Sequence, residues 1–462
     1  MASLIKCPTE IIQEICRLLC PHCCNDEWDI DIGRNRPRTI DISRLSRTCK
    51  VLRLHALPIL YHRPALECVS WLNLLRTLAE HRHLATHVRE IMIDGYCGFA
   101  SRKLPEQPDH DISSAPDSIA KYYGMQYGKS LSPEEVDLMV DLTRERLQGE
   151  LKFPAEFLCK TWTSHSIFAA EKYGMITSLI PEVALSKIFI TLLPNLVRLS
   201  VEISDTWDVA DPFLQPGSLP CLTEIRLLQL DADKPVHIDA IKMILAAAPS
   251  LRIMSAESVT GASIDIQHET LVDLDITHGS MNRKSFEAML RGCKRLKCFS
   301  YGSDPHRDGT TPRERCDALQ QRATTLESLS TQHNFGSNSN GSLKKMQVLK
   351  NIHVSRWSSY NRNDNPAATT GTLFTDFLPH SVQSFRLDIW HDHFMLSVMR
   401  LAASAPTQFP DLMIVHIATL PLPSHPSIRE AFKKVGVRTC LLQRERQSDY
   451  ELWPILNQNW LW

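Results

Sequence analysis

A short apolar pattern, Leu-x-x-apolar-x-apolar, recurs through the second half of the chain and constrains its fold more than any other feature. Copies begin between residues 196 and 412 at a mean interval of about 27 residues. Six copies are clear and three are weaker; they start at residues 196, 222, 251, 271, 296, 326, 349, 382 and 412. Helix-like stretches lie between several copies. The pattern therefore predicts strand, loop, helix and turn, repeated in a parallel stack.

This pattern resembles leucine-rich repeats in a degenerate form over about residues 190–420. The resemblance implies an α/β fold, namely an irregular leucine-rich-repeat-like solenoid with a parallel sheet inside and helices outside. A general α/β layer fold is the alternative, because the spacing between copies is irregular. An outlying copy at Val88, Ile91 and Ile93 predicts one strand ahead of the repeats.

The first sixty-five residues predict three short helices. Pro8 suits the first position of a helix over residues 8–20, Asp41 or Ser43 could cap a second, and Pro58 opens a short third segment. The apolar positions recur with helical spacing at Ile11, Ile12, Ile15, Cys16, Leu19, Leu45, Cys49, Leu52 and Ala56. Helices this short cannot bury such faces among themselves. The faces therefore predict either a partner site or a cap on the next domain.

Residues 4–65 resemble an F-box, on the motifs Cys7-Pro8-Thr9-Glu10-Ile11-Ile12, Leu45-Ser46-Arg47-Thr48-Cys49 and Leu60-Tyr61. Cys7 stands where that family usually has Leu, and the loop at 25–39 is longer than most F-boxes carry. The resemblance implies a three-helix module that binds the Skp-type linker of cullin–RING ubiquitin ligases. The linker-binding residues that it implies are Pro8, Ile11, Ile12, Ile15, Leu19, Leu45, Cys49, Leu52, Leu60 and Tyr61.

Together the two resemblances predict three regions: an F-box at 1–65, a connecting region at 66–189 with the outlying strand and a polar insertion, and the repeat-like domain with a C-terminal cap at 190–462. They imply a non-catalytic adaptor of an SCF-type ubiquitin ligase, which binds an unknown substrate protein through its repeats. Because side chains alternate along a strand, the candidate substrate-binding residues face outward: Arg198, Glu224, Arg226, Asp273, Asp275, His353, Arg386 and Asp388. A repeat scaffold that acts without a ligase is the alternative.

Composition excludes several other functions. The net charge of -1 offers no field to attract nucleic acid. Pro8, Glu10 and Glu14 interrupt a signal-peptide pattern, and the most apolar later stretch, residues 176–197, contains prolines and charges. We therefore expect no nucleic-acid or membrane partner and a cytoplasmic or nuclear location. The sequence shows no recognised catalytic motif, so we expect no enzyme activity and no cofactor.

One cysteine cluster, Cys20-Pro-His-Cys23-Cys24, has half the spacing of a zinc site. A second closely spaced pair of ligands is missing from the sequence around it, since Cys49 and Cys68 stand alone. The sequence therefore favours thiols packed at a helix end, and we expect no metal.

Overall fold

The computed structural model describes residues 7–20, 40–64, 80–93, 189–203, 214–229, 236–261, 268–303, 309–331, 341–354, 374–389, 395–419 and 425–443, with residues 23, 74, 77 and 78. The predicted polar insertion and C-terminal cap lie outside these residues. The chain divides into two compact units, Met1–Leu222 and Thr223–Trp462. Among the described residues, no helix combines the length and the apolar character needed to cross a bilayer.

The first unit contains α1 (Thr9–Leu18), a helical stretch at residues 40–46, α2 (Lys50–His62), α3 (Arg82–Ala85), β1 (Glu90–Ile93) and β2 (Arg198–Ile203). The first helices share a small core that consists of Ile12, Cys16, Cys20, Ile42, Leu52 and Ala56. β1, which matches the predicted outlying strand, pairs in parallel with β2.

The helix boundaries after residue 40 differ from the prediction. The backbone turns at residues 47–48, and Cys49 caps a new helix because its Sγ accepts a hydrogen bond from Leu52 N. Pro58 lies inside α2 and does not begin a separate segment. The structure therefore divides the second and third predicted helices at Cys49, which lies nine residues before the predicted boundary at Pro58.

The second unit is built on a parallel sheet in the order β3-β5-β7-β8-β9-β10-β11-β12-β13. Its strands are β3 (Glu224–Gln229), β5 (Ile253–Glu257), β7 (Asp273–Met281), β8 (Cys298–Ser303), β9 (Ser328–Thr331), β10 (Asn351–Val354), β11 (Ser384–Ile389), β12 (Ile414–Thr419) and β13 (Arg438–Gln443). Two short strands, β4 (Val236–His237) and β6 (Val259–Gly261), pair beside them, and β6 also pairs with β7. An α/β fold with a parallel sheet is therefore confirmed.

The three defining positions of the pattern are buried in all nine copies. The copies also lie in register: within the second unit Ile225 is the first of eight equivalent residues that are paired strand by strand, followed by Met254, Leu274, Phe299, Leu329, Ile352, Phe385 and Val415. Parallel neighbours in register place equivalent side chains side by side on one face. The repeated pattern thus forms one continuous apolar face of the sheet.

Helices connect these strands: α4 (Ile238–Ala247), α5 (Arg283–Gly292), α6 (Pro312–Leu319), α7 (Phe374–Phe377), α8 (Met395–Gln408) and α9 (His425–Lys434). Phe286 of α5 packs edge-on against Phe299 and Tyr301 of β8, with ring centres 5.7 and 5.1 Å apart. Asn282 caps α5, and Thr311 forms a capping box with Glu314 at the start of α6. The apolar face of the sheet is therefore covered by helices with well-defined starts.

Candidate functional site

The N-terminal helices expose large apolar side chains. Among the described residues, five of the eight exposed large hydrophobic side chains lie in the first 54 residues. Leu18 on α1 and Leu54 on α2 are the most exposed of the five, at 62% and 69%. We call these five residues the N-terminal apolar set: Ile11, Leu18, Ile40, Val51 and Leu54. Such a concentration on one small helical unit is typical of a protein-binding region.

The predicted linker-binding residues divide into three groups. Pro8 and Ile11 are exposed. Six others are half-buried: Ile15, Leu19, Leu45, Cys49, Leu60 and Tyr61. Ile12 and Leu52 are buried in the shared helical core, so their side chains support the surface from inside and are not available to a partner.

The predicted linker-binding residues did not include four members of the N-terminal apolar set: Leu18, Ile40, Val51 and Leu54. Leu18 lies seven positions after Ile11, two helical turns along the same face, and this spacing was the signal available. On α2 the sequence does not distinguish the exposed apolar residues from the buried ones. Val51, Leu52 and Leu54 are all apolar, and only the packing against α1 decides which of them is buried.

The predicted substrate-binding residues lie in different surroundings. Arg198 belongs to the first unit, where its Nη1 lies 3.1 Å from Glu90 Oε1; Arg63 Nη1 lies 3.6 Å from the other oxygen of that carboxylate. The remaining seven lie on the strands of the second unit, on the face opposite the apolar pattern. Four of them are half-buried: Glu224, Arg226, Asp273 and Asp275.

An acidic group forms where β3 and β7 flank β5. Register places Glu224 and Asp273 on either side of Ile253, and Arg226 and Asp275 on either side of Ser255. Burial of Asp273, with the neighbouring charges of Asp275 and Glu224, raises its pKa to about 6. This carboxyl therefore changes its charge near neutral pH, and the group carries net negative charge beside a single arginine.

The other three predicted residues, His353, Arg386 and Asp388, are buried, with 8%, 6% and 7% of their surface exposed. The prediction that they form an accessible polar surface is wrong. Asp388 holds them together: its Oδ1 lies 3.5 Å from Arg386 Nε and its Oδ2 lies 3.6 Å from His353 Nε2. Strand alternation correctly places these side chains on the polar face, but it does not determine whether water reaches that face.

Two further residues extend this buried polar cluster. Ser330 Oγ lies 3.1 Å from His353 Nδ1. Next to Arg386, His416 has a lowered pKa because burial, Arg386 and His353 all disfavour its charged form. We define the buried polar cluster as the buried residues His353, Arg386 and Asp388 with the half-buried Ser330 and His416 beside them.

The order hydroxyl, imidazole, carboxylate in Ser330, His353 and Asp388 is also that of a serine hydrolase. Such a hydrolase needs N–H donors beside the serine to bind an oxyanion. Ser330 lies within β9, between β8 and β10, and the parallel ladders on both sides engage the backbone N–H groups of this strand. We therefore interpret the cluster as a polar network that ties β9, β10, β11 and β12 together.

A third group lies where α1 and α2 end. Cys20, Cys23 and His62 bring their ligand atoms within 4.8 Å of one another. His62 Nε2 is 4.0 Å from Cys20 Sγ and 3.8 Å from Cys23 Sγ. Burial lowers the pKa of His62, but contacts with Cys20 and the Ile59 carbonyl outweigh burial, so the pKa is raised. These three residues could hold a metal ion, with His62 as the ligand that the sequence did not reveal.

No family model matches the chain, and no curated protein is significantly similar to it in sequence.

Proposed function

We propose that this chain is the substrate-recognition adaptor of an SCF-type ubiquitin ligase. Its N-terminal helices would bind the Skp-type linker and thereby the cullin–RING core, and its repeat-like unit would bind a substrate protein in the cytoplasm or nucleus. The observation that carries the proposal is the N-terminal apolar set on a unit whose sequence resembles an F-box.

The energetics of the N-terminal apolar set support a docking role. Burying one Leu or Ile side chain contributes about 1.5–3 kcal/mol, and binding energy at interfaces is concentrated in a few such residues. Leu18 and Leu54 stay in contact with water in this chain, although Ile12 and Leu52 on the same two helices are buried. A partner helix or groove that covers these side chains would gain the free energy of burying them.

The parallel sheet supports the second half of the proposal. Its apolar pattern is buried and in register, as leucine-rich repeats require. On the polar face, the half-buried residues Glu224, Arg226, Asp273 and Asp275 remain candidates for substrate contact. Their net negative charge favours a basic segment of the substrate. In this role the chain performs no chemistry and accelerates ubiquitin transfer by proximity.

Single substitutions in the full-length chain test linker binding. We expect Ile11→Asp and Leu54→Asp each to weaken binding of the purified Skp-type linker by about tenfold or more, because a carboxylate is placed where apolar surface is buried. Gln13→Asp is the matched control, since it adds the same charge at an exposed position on the opposite side of α1 from Ile11. Binding is measured by calorimetry, and circular dichroism checks that each variant is folded.

Two outcomes would contradict the proposal. If the wild-type chain does not bind the linker at all, the chain is a repeat scaffold that acts without a ligase. If Ile11→Asp, Leu54→Asp and Gln13→Asp all bind as wild type does, the N-terminal apolar set is not the linker surface.

A further inference from the structure

We propose that Cys20, Cys23 and His62 form a site for Zn²⁺ that joins the ends of α1 and α2. Of the residues that the structure describes, these are the one group of His, Cys or carboxylate side chains close enough to share a metal ion. The proposal is independent of ligase function, because it concerns only the chemistry of this group.

The distances match a tetrahedral ion. With Zn–S near 2.3 Å and Zn–N near 2.0 Å, tetrahedral angles place a sulfur about 3.5 Å from the nitrogen and the two sulfurs about 3.8 Å apart. The two observed sulfur–nitrogen distances are 3.8 and 4.0 Å. Small side-chain rotations would therefore bring all three donors onto one ion.

Backbone hydrogen bonds position the two cysteines of the site. After α1 the chain turns, with Cys20 N donating to Arg17 O and Cys23 N donating to Cys20 O. This turn is the reason that two cysteines three positions apart can lie near the same point. Cys20 is buried and Cys23 is exposed, so an ion here would be reached from solvent on the Cys23 side.

His62 is held in the orientation that a metal ligand needs. Its Nδ1 lies 2.6 Å from the carbonyl oxygen of Ile59. A proton on Nδ1 donated to that oxygen leaves the lone pair of Nε2 directed at the two thiols, and metal-binding histidines are typically fixed in this way. The main chain is fixed as well, because Arg89 N donates to His62 O at 2.9 Å.

The donor set selects the metal. Two thiolates and one imidazole are soft and borderline ligands, which favour Zn²⁺ over Mg²⁺ or Ca²⁺, whose ligands are oxygens. The fourth position of the tetrahedron would be filled by water or by a ligand that arrives with the ion. Binding would release the thiol protons, as metal binding to cysteine requires.

Metal content tests the site directly. Wild-type chain is purified under reducing conditions, loaded with Zn²⁺, desalted and measured by elemental mass spectrometry. We expect about one equivalent of zinc per chain, and a loss of at least about tenfold in zinc affinity in Cys23→Ser and in His62→Ala. Matched controls are His55→Ala, a half-buried histidine on the same helix, and Cys440→Ser in the other unit; both should keep the full equivalent.

A second measurement identifies the ligands by spectroscopy and uses a variant that is substituted only at an exposed position. Co²⁺ added to wild-type chain should give tetrahedral d–d bands and sulfur-to-cobalt charge-transfer bands, and the latter should weaken in Cys23→Ser, whose substituted side chain is exposed. Zn²⁺ should displace the Co²⁺ and remove both sets of bands. Chelation should lower the melting temperature of wild-type chain and leave that of Cys23→Ser unchanged.

The proposal is overturned by any of three results. One is a wild-type chain that retains no zinc. Another is a zinc content that is the same in His62→Ala as in His55→Ala. The third is a Cys20–Cys23 disulfide in protein isolated from cells, found by peptide mass spectrometry, since oxidised cysteines cannot supply the two thiolates.

Discussion

The N-terminal helices and the parallel sheet depart from the usual arrangement of apolar and polar residues in opposite directions. On the helices, Leu18 and Leu54 expose most of their apolar surface to water. On the sheet, His353, Arg386 and Asp388 are removed from water although two of them are normally charged. Exposed apolar residues cost the fold little, whereas buried charges are tolerated only with partners. From this difference we propose a recognition role for the exposed apolar residues and a stabilising role for the buried polar ones.

The largest effect should follow from opening the buried polar cluster. Asp388→Ala removes the carboxylate that lies 3.5 Å from Arg386 Nε and 3.6 Å from His353 Nε2. A buried guanidinium left without that carboxylate costs about 3–5 kcal/mol of unfolding free energy. Hydrogen exchange of the amides in β10, β11 and β12 measures the loss within this unit.

Two variants control for this prediction. Asp411→Ala removes an exposed carboxylate from the turn before β12 and should cost less than about 0.5 kcal/mol. The double variant Arg386→Met with Asp388→Leu should recover most of the stability, because an apolar pair leaves no buried charge. A loss below about 1 kcal/mol in Asp388→Ala would mean that water reaches the cluster in solution.

The next effect compares two leucines on α2. Leu52→Ala should cost about 2–5 kcal/mol, because Leu52 belongs to the helical core, and Leu54→Ala should change stability by no more than about 0.5 kcal/mol. The two variants remove the same atoms two positions apart, so each is the control for the other. Urea unfolding followed by circular dichroism measures both, and equal losses would show that Leu54 also packs in a core.

The smallest effect concerns Asp273, in the half-buried acidic group that β3 and β7 form on either side of β5. The pKa of Asp273 in the folded chain, about 6, lies above its ordinary value of 3.8. The folded state therefore binds the proton more tightly, and its stability falls as pH rises from about 4 to about 6. Asp273→Asn removes this cost, which is about 3 kcal/mol above pH 7.

The measurement is urea unfolding at pH 4 and pH 7.5, with wild type and variant compared at each pH. Other titrating groups, such as His416, cancel in that difference because both chains carry them. We expect similar stabilities at pH 4 and a more stable variant at pH 7.5. A variant that gains nothing at pH 7.5 would place the Asp273 carboxylate in well-solvated surroundings.

Local periodicity predicted much of this fold. The spacing of Leu271, Leu274 and Ile276, and of the equivalent residues in the other copies, was sufficient to identify the buried face of each strand, because side chains alternate regardless of the neighbouring strands. The same argument correctly placed Asp388 on the opposite face. For α2 the prediction was poorer, because a thiol cap at Cys49 is a weak signal and a proline inside a helix is uncommon.

The sequence by itself determined the parallel α/β architecture, because the apolar pattern recurs about every 27 residues. It also determined the apolar faces of the helices, because these depend on a spacing of three to four residues along one helix. Only the tertiary structure decided that Leu54 stays exposed while Leu52 is buried, that Asp388 is hidden with Arg386 and His353, and that His62 reaches Cys23. The physical reason is distance along the chain. Cys23 and His62 are 39 residues apart, and Ser330 and His353 are 23 apart. Contacts at such separations depend on how whole elements pack, and no local pattern encodes that packing.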